Sequence, residues 1–293
     1  MKQAMTERPP DGSLSTHNGF SLISNEKLLE IYSTMLKCRM LEERIHALRG
    51  KAGNAEKVAG NSIHVAAIAG AAIDLLPGDT LAPSQRAFAP CFAKGAPLTS
   101  ILSSVLGQRT ARPKYSALNL VPPSFSASKQ LERAMEAAKF CKGKRNKHVV
   151  IVFSSEESGA PGELERAIMV AGKKKLPILF VCETTSNADD RVLRVMDYNV
   201  PGVAVEHDDA VAVYRVATEA LAHARRGSGP TLIECKPWPV GGRGSGRRAP
   251  QKHPIGKMEA YLAGKGLFSR KFKTKLTADF SSELDAAFKA VAG

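Results

Sequence analysis

The segment from His148 to Thr185 constrains the fold of this chain more than any other. It opens with Val149 to Phe153, a β-branched and aromatic run without polar alternation, which is typical of a strand buried on both faces of a parallel sheet. A helix is predicted to start near Glu163 and to finish at Lys173 to Lys175, where the charges suit the two ends of the helix dipole. A second apolar run, Pro177 to Cys182, follows. The segment therefore predicts a β-α-β unit.

Two polar stretches follow the strands of this unit. Ser154 to Glu157 comes after the first strand, and Glu183 to Thr185 comes after the second. In open α/β sheets, ligands bind outside the carboxyl ends of the strands, so we expect any cofactor chemistry to converge on these two stretches. The alternative is that they are ordinary surface connections, polar because they are solvated, since topology indicates a location without naming a ligand.

The remaining periodicity extends the α/β pattern along the chain. Further strands are predicted at Val203 to Val205 and at Thr231 to Cys235, and Asp208 or Asp209 is expected to cap a helix that ends at Ala224. The other predicted helices span residues 25–48, 63–76, 98–106, 130–141, 258–262 and 277–291. Residues 112–126 and 186–191 read as loops, residues 1–24 as a mobile N-terminal arm, and residues 25–293 as a single domain that ends in helices.

Composition and cysteine usage favour a globular protein of the cytoplasm. The chain has 293 residues, of which 43% are hydrophobic and 24% charged, enough to bury a core. The cysteines are scattered and form no CxxC pair, which argues against a zinc site or a disulfide scaffold and fits a reducing compartment. No apolar run approaches the length of a membrane span, so no membrane association is expected.

The formal net charge of +14 comes from several separate basic runs. They lie at Lys142 to Lys147, Lys173 to Lys175, Arg225-Arg226, Arg243 to Lys252 and Lys265 to Lys275. Nucleic acid is one interpretation, because phosphate binding is driven by such charge. However, the runs belong to different elements, few aromatic residues stand between them, and no nucleic-acid-binding signature is present. We therefore favour solvated faces or docking on an acidic protein partner.

A series of short segments recurs in one order from about Leu28 to the C-terminus. The segments are Thr34-Met35-Leu36 with Arg39 and Glu42 to Arg44, Leu75 to Asp79, Ala93-Lys94-Gly95, Pro122-Pro123-Ser124 with Gln130-Leu131, Lys175 to Ile178, Pro201-Gly202-Val203, Gly229 to Glu234, Gly241-Gly242, Tyr261-Leu262 and Lys265-Gly266-Leu267. Their order and spacing resemble the alpha subunit of the thiamine-diphosphate-dependent, decarboxylating component of 2-oxoacid dehydrogenase complexes, of the pyruvate, branched-chain and acetoin types.

The resemblance implies a fold, an activity and partners. The family fold is a doubly wound, mostly parallel sheet with helices on both faces, which holds thiamine diphosphate and Mg²⁺. The activity is the oxidative decarboxylation of a 2-oxoacid, or oxidation of acetoin, and the cofactor itself attacks the oxo group. The implied partners are a beta-type subunit in a heterotetramer and a dihydrolipoyl acyltransferase core.

The chain departs from the family where the metal and the diphosphate bind. The family's Gly-Asp-Gly is Ser155-Glu156-Glu157 here, and its Asn-Asn is Thr184-Thr185. By position in the matched motifs, Glu156 and Thr185 are the candidate Mg²⁺ ligands. Glu156 and Glu157 correspond to the family residues beside the diphosphate of the cofactor. A Glu157 carboxylate ~4 Å from the diphosphate would cost about 4 kcal/mol per charge pair at an effective dielectric constant near ~20. The attraction between the diphosphate and a helix N-terminus contributes only ~0.3–1 kcal/mol. Repulsion therefore prevails unless the Glu157 side chain points to solvent.

Other matched positions have changed as well. The family's Tyr-Arg pair that binds the diphosphate corresponds to Gln85-Arg86 here, so the arginine is kept and the tyrosine is replaced by glutamine. Phe125 replaces a glycine of the diphosphate-facing loop, and Arg243 replaces a histidine near the cofactor. Arginine binds anions but does not shuttle protons at neutral pH. His64 falls beside another family segment, on an alanine-rich helix where a packed or surface role is favoured. Gln85, Arg86, Glu156, Glu157 and Arg243 are thus the candidate cofactor-binding residues.

Three hypotheses remain open at this point. The first is an active, divergent alpha subunit that uses Glu156 and Thr185 for Mg²⁺ and Arg86 and Arg243 for the diphosphate. The second is a degenerate subunit that keeps the fold and the partner surface as a scaffold or regulator beside a beta-type subunit. The third is a basic nucleic-acid binder. The family's histidines that follow the Tyr-Arg pair are also replaced, by Phe88 and Pro90. The combined loss of both glycines, the asparagine and the histidines favours impaired or lost cofactor binding.

Overall fold

A five-stranded parallel sheet forms the centre of the fold. The computed structural model describes residues 23–51, 64–84, 87–107, 115–122, 126–144, 147–155, 162–184, 191–237 and 253–292. The strands are β1 (Thr80–Ala82), β2 (Val150–Ser155), β3 (Ile178–Glu183), β4 (Gly202–Glu206) and β5 (Thr231–Lys236). They lie in the order β1-β2-β3-β5-β4, and every neighbouring pair is parallel.

Helices connect and flank the strands. They are α1 (Asn25–Lys51), α2 (His64–Ala72), α3 (Ala89–Ala93), α4 (Leu98–Val105), α5 (Ala127–Gly143), α6 (Glu163–Lys173), α7 (Arg191–Met196), α8 (Ala210–Arg225), α9 (Pro254–Gly264) and α10 (Arg270–Ala292), with a 3-10 helix at Tyr115–Leu118. Side chains cap the starts of several helices. For example, Ser126 Oγ accepts from the Lys129 amide at 3.3 Å before α5, and Asp209 Oδ1 accepts from the Ala212 amide at 2.9 Å before α8.

Both faces of the sheet are covered, because alternate side chains of each strand point to opposite sides. Val150 and Phe180 pack with residues of α5, α6 and α7 in one buried cluster. Ile151 and Val181 pack with residues of α2 and α8 in the other, which also includes α1, α9 and α10. This arrangement confirms the predicted doubly wound α/β fold with helices on both faces.

The predicted β-α-β unit is confirmed, and several other boundaries are corrected. β1 was not predicted as a strand, because three residues carry too little periodicity. α7 begins at Arg191, where a polar loop was predicted, and α10 begins at Arg270 rather than Thr277. The lysine-rich first turns of α10 were not predicted as helical, although Phe272 and Leu276 in these turns pack against the core. α2 ends at Ala72, short of the predicted Leu76, and part of the predicted loop 112–126 is the 3-10 helix.

Some predictions lie outside the described residues. They concern most of the N-terminal arm 1–24, the basic run from Arg243 to Lys252, and residues 186–190 of the predicted loop. No helix among the described residues is both long and apolar enough to cross a membrane.

Candidate functional site

The carboxyl edge of the sheet gathers the residues that precede the predicted cofactor positions. Ser154 lies opposite Cys182 and Ser155 opposite Glu183 in the β2–β3 register. Glu183 in turn lies opposite Cys235 in the β3–β5 register. The carboxyl ends of β2, β3 and β5 therefore lie side by side. In open α/β sheets, ligands bind outside these ends of the strands.

A cavity of about 40 Å³ opens at this edge, between the ends of β1 and β2 and the first turns of α5 and α6. Its polar lining comprises Ser84, Gln130, Ser154, Ser155 and Glu163. Its apolar lining comprises Ala127, Leu131, Val152, Phe153 and Leu164. The amino ends of two helices meet here, and their free N–H groups give the surroundings a partial positive character.

Gln130 is the most unusual side chain of this cavity. It is only 3% exposed, and neither its amide nitrogen nor its amide oxygen bonds to another group of the described chain. A buried amide without partners costs about 1–3 kcal/mol, so such a group points to a water or a ligand in the cavity. The Glu163 carboxylate on the facing helix accepts a hydrogen bond from Ser128 Oγ at 2.6 Å, which ties α6 to α5.

A second polar group lies beyond β3. Thr184 is 5% exposed, its amide donates to the Cys235 carbonyl at 3.1 Å, and its hydroxyl has no partner among the described residues. Thr184 occupies the first place of the family's Asn-Asn pair, and the β3–β5 pairing continues to its backbone. The structure therefore fixes where that polar pair begins.

A charged network reinforces the same edge. Arg191, 8% exposed, donates from Nε to Glu165 Oε1 at 2.8 Å and from Nη1 to Cys182 Sγ at 3.1 Å. Arg194 Nη2 also donates to Glu165 Oε1, at 3.3 Å. Burial raises the pKa of Glu165, but hydrogen bonds from its own backbone amide and from the two arginines prevail and lower it. The network therefore joins α6, α7 and β3 through an ionised carboxylate.

Two further groups of this region stay protonated more readily than usual. The Glu234 side chain is fully buried in β5, and burial raises its pKa, although Lys236 Nζ lies 3.1 Å from its Oε2. Burial also raises the pKa of the Cys182 thiol. A neutral buried thiol is a poor nucleophile, which agrees with the prediction that Cys182 fills the core.

The candidate metal- and cofactor-binding residues predicted from the sequence lie outside the described part of the chain. Gln85, Arg86, Glu156, Glu157, Thr185 and Arg243 belong to this group, and so does Phe125. Their assigned roles stay predictions. Among the described residues, no group of three or more His, Cys, Asp or Glu side chains is placed to hold a metal ion, and the predicted ligands Glu156 and Thr185 are not tested by that finding.

The described part of the lining supplies no cationic side chain to a doubly charged cofactor. A cavity of about 40 Å³ has room for a few water molecules, whereas small-molecule sites usually measure ~300–1,000 Å³. The described side chains that line it are neutral apart from the Glu163 carboxylate, and none of them is a lysine or arginine. Among the described residues, an incoming diphosphate would therefore meet this carboxylate and no positively charged side chain.

The comparison with known proteins decides the family. A profile of the family described as "Dehydrogenase E1 component" matches residues 32–292, which is most of the chain. The chain belongs to this family. The resemblance proposed from the order of sequence segments is thus confirmed.

Named relatives of this E1 component chain are alpha subunits. It is 29% identical to the alpha subunit of acetoin:2,6-dichlorophenolindophenol oxidoreductase of Bacillus subtilis strain 168, over 76% of this chain and 72% of the relative. It is 27% identical to the 2-oxoisovalerate dehydrogenase subunit alpha of the same strain, over 88% of each chain. It is 23% identical to a pyruvate dehydrogenase E1 component subunit alpha of Staphylococcus epidermidis, over 95% of this chain and 82% of the relative.

Sequence reasoning missed several residues of this edge. Gln130 was noticed only as part of the resemblance, although a glutamine among the apolar positions of a helix is itself a signal of a buried polar group. Arg191 and Glu165 were read as loop and helix-start residues. Their pairing depends on α7 packing beside α6, which no local pattern shows.

Proposed function

We propose that this chain acts as an alpha-subunit-like protein of a thiamine-diphosphate-dependent 2-oxoacid or acetoin dehydrogenase, with cofactor binding impaired or lost. A beta-type subunit is its partner in a heterotetramer, and the cytoplasm is its location. Membership in the dehydrogenase E1 component family and the alpha-subunit names of the relatives support the general assignment. When bound in this family, the cofactor supplies the carbon that attacks the oxo group of the substrate.

The small cavity at the carboxyl edge supports the proposal that cofactor binding is impaired. It offers serine hydroxyls, the Gln130 amide and the Glu163 carboxylate, which suit water or a small neutral polar molecule better than a diphosphate. The sequence points the same way, because Glu157 stands in place of a glycine and Thr184-Thr185 in place of two asparagines. Both changes weaken the binding of an anion with its hard cation.

A second candidate is a non-catalytic paralogue that serves as a scaffold or regulator for a beta-type subunit. The buried Arg191–Glu165 pair supports this candidate, since it joins α6, α7 and β3 at the carboxyl edge through protein groups. Such a protein would keep the shape of an alpha subunit and its partner surface after catalysis is lost.

Calorimetric titration with thiamine diphosphate and Mg²⁺ tests the proposal. The chain is co-expressed with a beta-type dehydrogenase subunit, and the purified assembly is titrated. We expect a dissociation constant weaker than about 1 mM. Micromolar binding would overturn the impairment, while leaving the family role intact. Failure to co-purify with any beta-type subunit, with a stable monomer in sedimentation, would overturn the partner assignment itself.

A restored variant sharpens the test. Changing Ser155→Gly, Glu156→Asp, Glu157→Gly, Thr184→Asn and Thr185→Asn rebuilds the family's two motifs. Removal of the acidic charge should tighten cofactor binding by at least about tenfold. Glu156→Asp alone, which keeps Glu157, is the matched control and should leave binding weak. If the restored variant binds no better than the control, the motif changes are not what limits the cofactor.

A further inference from the structure

Three basic runs that are separate in the sequence meet at the amino edge of the sheet, opposite the cavity. Because all strands are parallel, each helix that leads into a strand ends at this edge. The ends of α5 and α6 touch there, since Lys142 Nζ donates to the Lys174 carbonyl. The end of α8 approaches the start of β2, where Arg225 Nη1 donates to the Lys147 carbonyl at 3.1 Å.

We call this surface the basic edge. It consists of Lys142, Lys144, Lys147, Lys173, Lys174, Lys175, Arg225 and Arg226. Apart from the half-buried Arg225, all of these residues are exposed. The segment after α8 packs against the segment after α6. Gly229 lies so close to Lys175 that a Cβ atom added to the glycine would be 3.6 Å from Lys175 Cα. The basic edge is therefore continuous across α5, α6 and α8.

Helix-end electrostatics explain only part of this charge. Lys142, Lys173 and Arg225 occupy the last turns of their helices, where a cation stabilises the negative end of the dipole. Lys144, Lys147, Lys174, Lys175 and Arg226 follow those turns. Their side chains form no ion pair with a carboxylate of the described chain.

Carboxylates do little to offset the positive charge. Asp79 is fully buried and already bound by Arg225. Asp74, before the turn to β1, is bound by Lys27 Nζ at 2.8 Å. Asp197, just after α7, is exposed. Positive potential therefore predominates at the basic edge and would attract a negatively charged partner.

Exposed apolar side chains accompany the cations. The Phe140 side chain is 60% exposed, and Lys144 Nζ lies 4.5 Å from the centre of its ring. Leu76 (50% exposed), Met196 (55%) and Tyr198 (38%) lie in the connections into β1 and β4 at the same edge, and among the described residues only Leu106 is a comparable exposed side chain elsewhere. Apolar groups rimmed by charge are typical of protein–protein interaction sites.

We propose that the basic edge is a docking surface for an acidic protein segment that presents apolar side chains. The lysines and arginines complement its carboxylates, and Phe140 with its apolar neighbours receives its apolar groups. A nucleic acid is the competing occupant, because Phe140 and Tyr198 can stack on bases. The aliphatic Leu76 and Met196 neither stack on bases nor bind phosphate, and they favour the protein segment. The docking surface lies about 20 Å from the carboxyl edge, the length of a six-residue strand. A partner can therefore dock while the other edge stays free.

Fluorescence anisotropy with defined probes tests this proposal on the full chain with its beta-type subunit. The first probe is a labelled 18-residue helical peptide with glutamate at its polar positions and leucine on one face. The second replaces each leucine by serine, and the third is a single-stranded oligonucleotide of about 18 nucleotides. The protein variants are Lys144→Glu with Lys174→Glu, and Phe140→Ser. The matched control is Lys271→Glu with Lys275→Glu, an equal charge reversal at exposed positions of α10.

We expect the leucine peptide to bind and the serine peptide to bind at least about tenfold more weakly. The Lys144/Lys174 variant should weaken leucine-peptide binding by about tenfold or more, Phe140→Ser by about fivefold or more, and the α10 control by less than about twofold. Thermal melting by circular dichroism checks that each variant is folded. The proposal would be overturned if neither peptide binds, or if the two peptides bind equally well. It would also be overturned if the α10 control weakens leucine-peptide binding as much as the Lys144/Lys174 variant does. A fourth contrary outcome is an oligonucleotide that binds more tightly than the leucine peptide and whose binding Phe140→Ser leaves unchanged.

Discussion

Arg225 and Asp79 form a two-pronged ion pair that joins the end of α8 to the turn before β1. Arg225 Nη1 donates to Asp79 Oδ1 at 2.8 Å, and Nη2 of the same guanidinium reaches Oδ2. Asp79 is fully buried and also accepts from the amides of Leu76 at 2.8 Å and Val149 at 3.0 Å. One carboxylate thus fixes the relative positions of α8, β1 and β2.

Asp79→Ala should therefore destabilise the protein strongly. It leaves the half-buried Arg225 and two backbone amides without their acceptor, and loss of one partner of a buried pair typically costs about 3–5 kcal/mol. Urea unfolding measures the change in the free energy of unfolding. The control is Asp285→Ala, which breaks the exposed pair with Arg44 and should cost at most ~1 kcal/mol. Equal losses in the two variants would contradict the structural role of Asp79.

Gly70→Ala tests the packing of α2 on α8. A Cβ at Gly70 would lie 2.7 Å from the Ala210 carbonyl oxygen and 2.9 Å from Val213 Cβ. Both atoms belong to or adjoin the α8 backbone and cannot swing aside as a flexible side chain would. Overpacking of this kind typically costs ~1–3 kcal/mol, so the urea midpoint should fall. Gly256→Ala in α9 is the control, because no atom lies within 4 Å of its added methyl group. It should leave the free energy of unfolding unchanged or raise it by up to ~1 kcal/mol.

Local patterns predicted the centre of the fold well. The runs at β2, β3 and β5 are apolar without alternation, and only a sheet covered on both faces buries them. α7 and β1 could not be predicted, because they are short and their conformation depends on neighbours distant in sequence. The convergence of the basic runs was also missed, although it follows from topology: each run precedes a strand, and the starts of parallel strands share one edge.

The convergence of the strand ends was predictable, but the packing around them was not. Ser155 and Glu183 lie opposite each other, as their places after neighbouring strands indicated, and the cofactor site at this edge stays a prediction. The unpartnered Gln130 amide and the Arg191–Cys182 contact depend on how α5 and α7 pack against the sheet. The spacing of polar residues along the sequence contains no information about those packing distances.

The cysteines should resist thiol reagents in the folded protein. All five are free and buried, and burial raises the pKa of each thiol, so that little reactive thiolate forms at neutral pH. A chromogenic disulfide reagent should therefore release almost no colour from native protein and a full equivalent from each cysteine in urea. Rapid reaction of a native cysteine would show that part of the core opens on the time scale of the assay. Cys182→Ser would then identify whether the thiol beside Arg191 is the reactive one.

Glu42 should make stability depend on pH. Burial raises its pKa from 4.5 to about 7, with Glu43 adding to the rise and Arg39 opposing it. The folded protein then binds a proton more readily than the unfolded chain, so the free energy of unfolding should fall as pH rises from about 4.5 to about 7. Glu42→Gln mimics the protonated form and should match the wild type near pH ~4.5 but exceed it at pH ~8 in urea midpoint. Glu30→Gln, at an exposed site of the same helix, is the control for the loss of a carboxylate, and its urea midpoint at pH ~8 should stay below that of Glu42→Gln. A Glu42→Gln profile that still falls over this range would locate the titrating group elsewhere.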